Sequence, residues 1–414
     1  MPQTLQEFIK AHRTDDVRQL ALQAHRYPEV DMKAAVTQID GWQRARTKLP
    51  SWAAHADIIY PPHLAIEQCS SETTARYKAS LCRRLLDEYP SQAETAHQPG
   101  TTSMADLTGG MGVDFAFLAP LFDTAHYIER QSHLCQTARH NFQVLGLRQA
   151  DVTEGDGLDV LTTLPHQRLL FIDPARRNTA GARTFAISDC TPDIMPALPM
   201  MLDKADLVMV KLSPMLDWHQ TAASMQAAHP GSVREIHIVA TANECKELLV
   251  VLSASHTDRP TTLHCANDGS RFDTDTEAEA RSGRCPTIGD FSDLETATWL
   301  YEPDVTIMKA GCFATLAQRF PIRALAPNSH LFVADTLLTD FPGRKLPIRR
   351  VATTNKRQLS EALKGIGRAN ITVRNFPMTA DQLRRRLHLA DGGCHWIFAS
   401  TIGHHDHVII ICDT

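Results

Sequence analysis

From Met104 onward the chain alternates short apolar runs with turns and helical stretches, and this alternation limits its fold more than any other feature. MADL (Met104–Leu107) reads as a strand entering a Gly-rich turn, and VDFAFLAPLF reads as a helix. AHYIER is a second strand, followed by the helix SHLCQTARHNFQVLG. LRQADVTEGD ends a third strand, and RLLFIDPARR is a buried apolar strand running into a polar loop. DLVMVKLSP and VREIHIVAT supply a fifth and a sixth strand, with TTLHCAND a candidate seventh. Strands separated by helices predict an α/β core, a parallel sheet with helices on both faces.

The flanks have a different texture. Residues 1–98 read as a helical N-terminal domain, with Leu5, Phe8 and Ile9, then Leu20 and Leu22, near helical spacing. In YPPHLAIEQCSSETTARYKASLCRRLLDEYP, Ser70 or Ser71 caps a helix with Glu72 and Thr74 in its first turn, and Pro90 closes it. The polar stretch Ser91–Ser103 reads as a linker, and the α/β core is placed at 99–268. Residues 269–342 read as a small α+β connecting domain, with a helix around Ile307–Gln318 and a strand around His330–Val333. The tail, 343–414, reads strand (347–352), helix (358–366), strand (370–375), helix (380–389), then strands at 395–401 and 408–412.

Charge separates the tail from the body. Gly343 to Thr414 carries 12 Lys/Arg against 5 Asp/Glu, whereas the preceding 342 residues carry 30 against 42. A basic module on an acidic body predicts an anionic partner, and Arg384, Arg385 and Arg386 are its densest run. Aromatic interleaving is thin, so the expected contacts are to phosphates rather than stacked bases. The 10 cysteines are scattered without a CxxC pair, which excludes a zinc ribbon and argues against a disulfide framework. Gly403-His404-His405-Asp406-His407 reads as a hairpin turn, and no metal is expected. Apolar runs are too short to span a bilayer and the start lacks a signal sequence, so a cytoplasmic protein without membrane partners is expected.

In an open parallel sheet, ligands bind at the carboxyl ends of the strands near the point where strand order reverses. The first such end reads Asp106-Leu107-Thr108-Gly109-Gly110-Met111-Gly112. A dinucleotide fingerprint would need glycine at position 115, which is Phe115, so a nicotinamide cofactor is disfavoured. An acidic residue before a Gly-rich turn is instead the arrangement of S-adenosylmethionine sites, with Asp106 at the cationic amino acid end and Thr108, Gly109, Gly110 and Gly112 around it. Glu129 ends the second strand, where a carboxylate can accept from both ribose hydroxyls. Asp156-Gly157 ends the third and is expected near the adenine amino group. After the fourth strand, Asp173 is the candidate base or acceptor, with Pro174 and Arg176 in the same catalytic loop. Arg177 and Lys211 are expected to face the substrate and Ser213 and Pro214 to line the same cleft; Ser71, Thr74 or Tyr77 would reach the cofactor if the capped helix folds over it, but helix capping explains its Ser and Glu equally well.

DLTGGMGVD, YIER, EGDGLD and FIDPARR, in that order, resemble the motifs of class I S-adenosylmethionine-dependent methyltransferases. IYPPHLAIEQCSSETTARYKA, WLYEP, IMKAG, PNSHLFVAD and ITVRNFPMTADQLRRRL extend the likeness to a bacterial methyltransferase group with a THUMP-like C-terminal domain. The resemblance implies a Rossmann-like seven-stranded core, S-adenosylmethionine as cofactor and a small THUMP-like or ferredoxin-like basic module at the C-terminus. By analogy it implies an RNA substrate, rRNA or tRNA. One departure matters. Amino-directed nucleic acid methyltransferases carry two prolines and an aromatic after the fourth strand, and this chain has Asp173-Pro174-Ala175-Arg176. No ring is left there to stack on a flipped base. Cys190, the nearest downstream thiol, reads as a structural cysteine. The alternatives are a non-catalytic RNA-binding protein with a vestigial cofactor fold, and a methyltransferase for a protein or small molecule.

Overall fold

Four apolar residues, Leu169–Ile172, follow the polar pair Gln167-Arg168 in the central strand (Gln167–Ile172) of the protein's computed structural model, and all six are buried. The structure describes residues 3–89, 102–176, 187–255, 260–403 and 406–413. It divides into two units, residues 1–236 with 246–259, and residues 237–245 with 260–414.

The first unit begins with helices α1 (Gln3–His12), α2 (Val17–Leu22), α3 (Met32–Lys48), α4 (Pro50–Ala53), α5 (His63–Gln68) and α6 (Glu72–Glu88). Ser71 caps α6 by accepting from Thr74 N at 3.2 Å. Trp52, Tyr60, Ile66 and Ala75 share one apolar cluster with Met111 and Val113 of the Gly-rich turn. The helical segment is therefore packed against the sheet's ligand-facing end.

The strands of this unit are β1 (Ser103–Asp106), β2 (Thr124–Glu129), β3 (Ala150–Glu154), β4 (Gln167–Ile172), the short pair β5 (Ala175–Arg176) and β6 (Cys190–Thr191), β7 (Ala205–Leu212), the first part of β8 (Val233–Thr241) and most of β9 (Glu244–Leu252). They run in the order β8-β9-β7-β4-β1-β2-β3. β1 pairs in parallel with both β2 and β4, β3 with β2, and β7 with β4, whereas β9 is antiparallel to β7. The seven-stranded α/β core is thus present with one strand, β9, that the alternation of motifs does not announce. Helices α7 (Val113–Leu118), α8 (Ser132–Val144), α9 (Gly157–Leu161), α10 (Leu198–Asp203) and α11 (Trp218–Ala228) make the connections. Strand order reverses between β4 and β1, so a crevice opens at their carboxyl ends.

In the second unit β10 (Thr262–Asn267) and β11 (Ser270–Asp275) form a hairpin. Helices α12 (Ala278–Ser282) and α13 (Phe291–Thr296) precede β12 (Trp299–Pro303). The helix expected over 307–318 is two, α14 (Val305–Ala310) and α15 (Phe313–Arg319), because Gly311 adopts φ +72° and ends the first. Strands β13 (Arg323–Ala324), β14 (Phe332–Ala334), β15 (Gly343–Thr353), β16 (Arg368–Val373), β17 (Ala390–Ile402) and β18 (Asp406–Asp413) follow, with α16 (Lys356–Ala362) and α17 (Ala380–Leu387) between β15 and β17. One seven-stranded sheet, β13-β14-β12-β15-β18-β17-β16, unites them. Both α16 and α17 pack on one face, through Ala362 and Leu383 against Ile397, Ile409 and Ile411. The opposite face buries Leu300, Leu331, Val333, Phe398 and Ile410. Antiparallel β17 and β18 pair as far as Ile402 and Asp406; His404 and His405 of the His-rich segment lie outside the described residues. Among the described residues no helix is long and apolar enough to cross a membrane.

Candidate active site

A cavity of about 620 Å³ opens at the carboxyl ends of β1–β4, in the first unit. Asp106, Thr108, Gly109, Gly110, Gly112, Glu129, Asp156 and Gly157 all line it, together with Asp173 and Lys211. Residues separated by more than a hundred positions in sequence are gathered here because each follows a parallel strand of the same sheet.

The Gly-rich turn is fixed from both sides. Gly110 N donates to Glu129 Oε2 at 2.9 Å, and Tyr127 Oη donates to Gly110 O at 2.5 Å. Gly112 adopts φ +81°, the left-handed region, where a side chain would also run into the Phe142 ring. Gly157 is required for another reason: a Cβ there would lie 2.0 Å from the Leu107 carbonyl oxygen. The β1 and β3 loops can approach this closely only without a side chain.

The three strand-end acids differ in setting. Asp106 is 1% exposed, and its Oδ1 accepts from Thr108 N at 3.0 Å. Burial pushes its carboxyl up to about 8; the Thr108 amide and Lys211 act against this, while Asp114 and Asp173 add to it. Glu129 Oε1 accepts from Gln131 N at 2.9 Å and Gln131 Nε2 at 3.2 Å, and the residue lines the cavity. Asp156 caps α9, accepting from Leu158 N at 2.9 Å, and Arg130 stands 3.5 Å from its other oxygen.

After β4 the chain turns at Asp173, whose amide donates to Thr108 Oγ1 at 2.7 Å. Its carboxylate, 36% exposed toward the cavity, accepts from Lys211 Nζ at 2.6 Å. Burial raises the Asp173 carboxyl above the usual range, and Lys211 only partly offsets that. The Lys211 ammonium is held well above its ordinary value: burial alone would lower it, but Asp173, Asp114 and Glu247 outweigh burial. Ala175 also lines the cavity. Pro174 is buried and is not among the lining residues. Arg176 lies in β5 by its backbone, and Arg177 lies outside the described residues. Lys211, but neither Ser213 nor Pro214, is part of the lining.

The helical segment does reach the site, by different residues from those expected. Gln68, Cys69 and Ser70 line the cavity, whereas Ser71 is the α6 cap and Thr74 is buried beneath it; Tyr77 is also absent from the lining. Burial pushes the Cys69 thiol up to about 11, so it is protonated at neutral pH, and Cys190 is 2% exposed. Behind the cavity, Lys78 of α6 is fully buried against Asp114 of α7 (3.1 Å) and Glu247 of β9 (2.5 Å). Neither Lys78 nor Glu247 carries a sequence signal for burial, since both residue types are usually exposed. The burial of Asp114 beside a Gly-rich turn is the one feature that a helix pattern could have flagged.

On the second unit, the three tail arginines separate. Arg384 is committed to Asp381 at 2.9 Å and Asp391 at 2.6 Å. Arg385 and Arg386 are exposed; their contacts are to the Asp381 carbonyl at 3.3 Å and the Met378 sulfur at 3.8 Å.

A family model described as a ferredoxin-like domain matches residues 299–342, and one described as THUMP domain-like matches residues 343–414. The crystal structure of a candidate methyltransferase from Porphyromonas gingivalis W83 is 30% identical, with a TM-score of 0.81, over 99% of this chain and 97% of that one. An rRNA methylase from Streptococcus thermophilus is 14% identical over 42% of this chain and 94% of its own, with a TM-score of 0.31. A SAM-dependent methyltransferase from Agrobacterium tumefaciens is 12% identical over 44% of this chain and 62% of its own, with a TM-score of 0.32. At those scores the last two carry no argument. No curated protein matches the chain.

Proposed function

Because the chain belongs to the class I S-adenosylmethionine-dependent methyltransferases that carry a THUMP-like C-terminal domain, we propose that it transfers a methyl group from S-adenosylmethionine to RNA. The observation that carries this reading is the cavity at the strand-order reversal, where the strand-end carboxylates Asp106, Glu129, Asp156 and Asp173 and a glycine turn converge. Its volume of about 620 Å³ suits a nucleoside-sized ligand. The residues present fit the cofactor. Asp106 offers a buried carboxylate to the cationic amino acid end, Glu129 accepts from the ribose hydroxyls, and Asp156 accepts from the adenine amino group. Gly109, Gly112 and Gly157 admit no side chain, because a Cβ would meet Tyr127, Phe142 and Leu107, and with Gly110 they bring bare backbone to the cavity wall.

When bound, the cofactor supplies an electrophilic methyl on a sulfonium. The chain's own contribution is orientation. Asp173 accepts a hydrogen bond, or a proton, from the acceptor group, and Lys211 holds that carboxylate in place. Arg176 and Arg177 follow in the same loop as candidate phosphate contacts. Residues 1–98 serve as a helical N-terminal domain, 99–268 as the methyltransferase core, 269–342 as a connecting domain and 343–414 as the RNA-binding module. Support for RNA comes from the THUMP domain-like match and from the 12 Lys/Arg against 5 Asp/Glu in that module.

The test is transfer of labelled methyl from S-adenosylmethionine to total RNA from cells lacking this gene, with protein and metabolite fractions alongside. Label in RNA that disappears with Asp173→Ala is expected. Label in another fraction would replace RNA as the substrate class, and no transfer from protein that binds the cofactor would leave a binding role.

A further inference from the structure

Lys78 is 0% exposed and stands outside the cavity lining, yet its ammonium hydrogen-bonds Glu247 and Ser70 and is ion-paired to Asp114. Glu247 Oε2 lies at 2.5 Å, Asp114 Oδ1 at 3.1 Å and Ser70 Oγ at 3.2 Å. Ser70 Oγ donates in turn to Asp114 Oδ2 at 2.7 Å and lies 3.1 Å from Glu247 Oε1. Burying a lysine costs several kcal/mol and is tolerated only when opposite charges are paired with it, as Glu247 and Asp114 are here. Such a knot, made by two helices and a strand, calls for an explanation beyond stability, because apolar side chains would fill the same space as well or better.

The explanation lies one residue further on. Asp114 is shared: one carboxylate oxygen faces Lys78, and the other faces Lys211 at 3.6 Å. Lys211 itself sits closer to Asp173, at 2.6 Å. We infer that Lys78 is a positioning residue for the Asp173 carboxylate: by neutralising Asp114 it leaves Lys211 free to hold Asp173 at the cavity wall. The inference rests on the reading of Asp173 as the group that meets the methyl acceptor. It makes helix α6, from the N-terminal helical segment, a working part of the active site.

The charges that face one another are Lys78 of α6, Asp114 of α7, Asp106 at the end of β1, Asp173 after β4, Lys211 of β7 and Glu247 of β9. Removing the charge of Lys78 turns Asp114 and Glu247 into unbalanced anions. Both the altered field and the pull of Asp114 on Lys211 then favour a protonated Asp173. Removing the charge of Asp114 has the opposite effect, because Lys211 then serves Asp173 alone. Direct Coulomb effects give these two signs for any charge near Asp173, so the positioning role is read from kcat falling while the KM for S-adenosylmethionine stays constant.

The test is a ¹³C NMR titration of aspartate carboxyls in the full chain, with the Asp173 resonance identified by its loss in Asp173→Asn. In Lys78→Gln the Asp173 titration should move up by about one pH unit, and in Asp114→Asn it should move down. Lys78→Gln should also lower kcat for methyl transfer to RNA about tenfold while leaving the KM for S-adenosylmethionine unchanged. Should Lys78→Gln not fold, Ser70→Ala keeps every charge but strips Asp114 of a donor, and a smaller upward shift is expected. An Asp173 titration unmoved in the folded variant overturns the inference, and so do an unchanged kcat and shifts of the same sign in the Lys78 and Asp114 variants. If Asp173→Asn retains full methyl transfer, the catalytic reading of Asp173 fails by itself, and the titrations still decide whether Lys78 acts on the Asp173 carboxylate.

Discussion

Lys211 Nζ lies 2.6 Å from Asp173 Oδ2 and 3.6 Å from Asp114 Oδ2, so one buried ammonium serves two carboxylates from different elements. Replacing it by an apolar side chain of similar length leaves both acids without that partner. Breaking a buried ion pair from one side costs about 3–5 kcal/mol, because the remaining charge is stranded. Lys211→Met should therefore lower the melting temperature by several degrees and reduce methyl transfer at least tenfold. Differential scanning calorimetry and a single-turnover transfer assay read the two effects separately. Wild-type transfer in a folded Lys211→Met protein would remove the pair from the mechanism.

Asp106 sets a pH dependence of its own. Its carboxyl is pushed up to about 8, chiefly by burial, from an ordinary value near 4. Between those two values the folded chain keeps a proton that the unfolded chain has released, so this group makes stability fall as pH rises through that window. Asp106→Asn should accordingly raise the melting temperature at pH 8.5 and change it little at pH 4. On the proposed reading, the ionised form of this acid pairs with the cofactor's ammonium. Binding of S-adenosylmethionine below pH 8 should then release a proton, and affinity should rise toward pH 8. Calorimetric titrations in buffers of different ionisation enthalpy measure that proton directly; none released at pH 6.5 would detach Asp106 from the cofactor's ammonium.

Much of this site is legible in the chain because parallel α/β architecture puts function at strand ends, and the strand ends here carry Asp106, Glu129, Asp156 and Asp173. What escapes is set by contacts distant in sequence. β9 opens with Glu244-Cys245-Lys246-Glu247, a polar start that looks like a loop, and becomes apolar only at Leu248. Its antiparallel pairing with β7, not its own pattern, makes the segment a strand. Lys78 and Glu247 meet across 169 positions, and neither has a local pattern that predicts its partner. The helix over 307–318 fails at Gly311 for a simpler reason: a glycine in the left-handed region ends a helix whose apolar spacing continues past it.

Glu129 has two tasks that one substitution separates. Its Oε2 holds Gly110 N at 2.9 Å, and the residue lines the cavity. Glu129→Ala removes both and should weaken S-adenosylhomocysteine binding by tenfold to a hundredfold in isothermal titration. Glu129→Gln keeps an oxygen for the Gly110 amide, so the turn should retain its shape and the loss should be smaller. Equal affinity in the wild type and the alanine variant would exclude the ribose role.

The tail cannot be tested by cutting it off. β15 pairs with β12 from Trp299↔Pro347 to Pro303↔Gly343, so the ferredoxin-like and THUMP-like segments share one sheet. Deleting 343–414 would bare that strand edge and the cluster around Leu300 and Val333. Charge removal on the exposed helix surface is the cleaner route. Arg385 and Arg386 are exposed and carry no ion pair among the described residues, whereas Arg384 is neutralised by Asp381 and Asp391. Arg385→Ala/Arg386→Ala should weaken RNA binding and flatten the slope of log K against log salt by about 1.4, two single-strand phosphate contacts. Arg384→Ala should alter that slope little and lower stability instead, and cofactor affinity should stay constant in both variants. An unchanged salt slope in the double variant would move the RNA-contacting surface away from this helix.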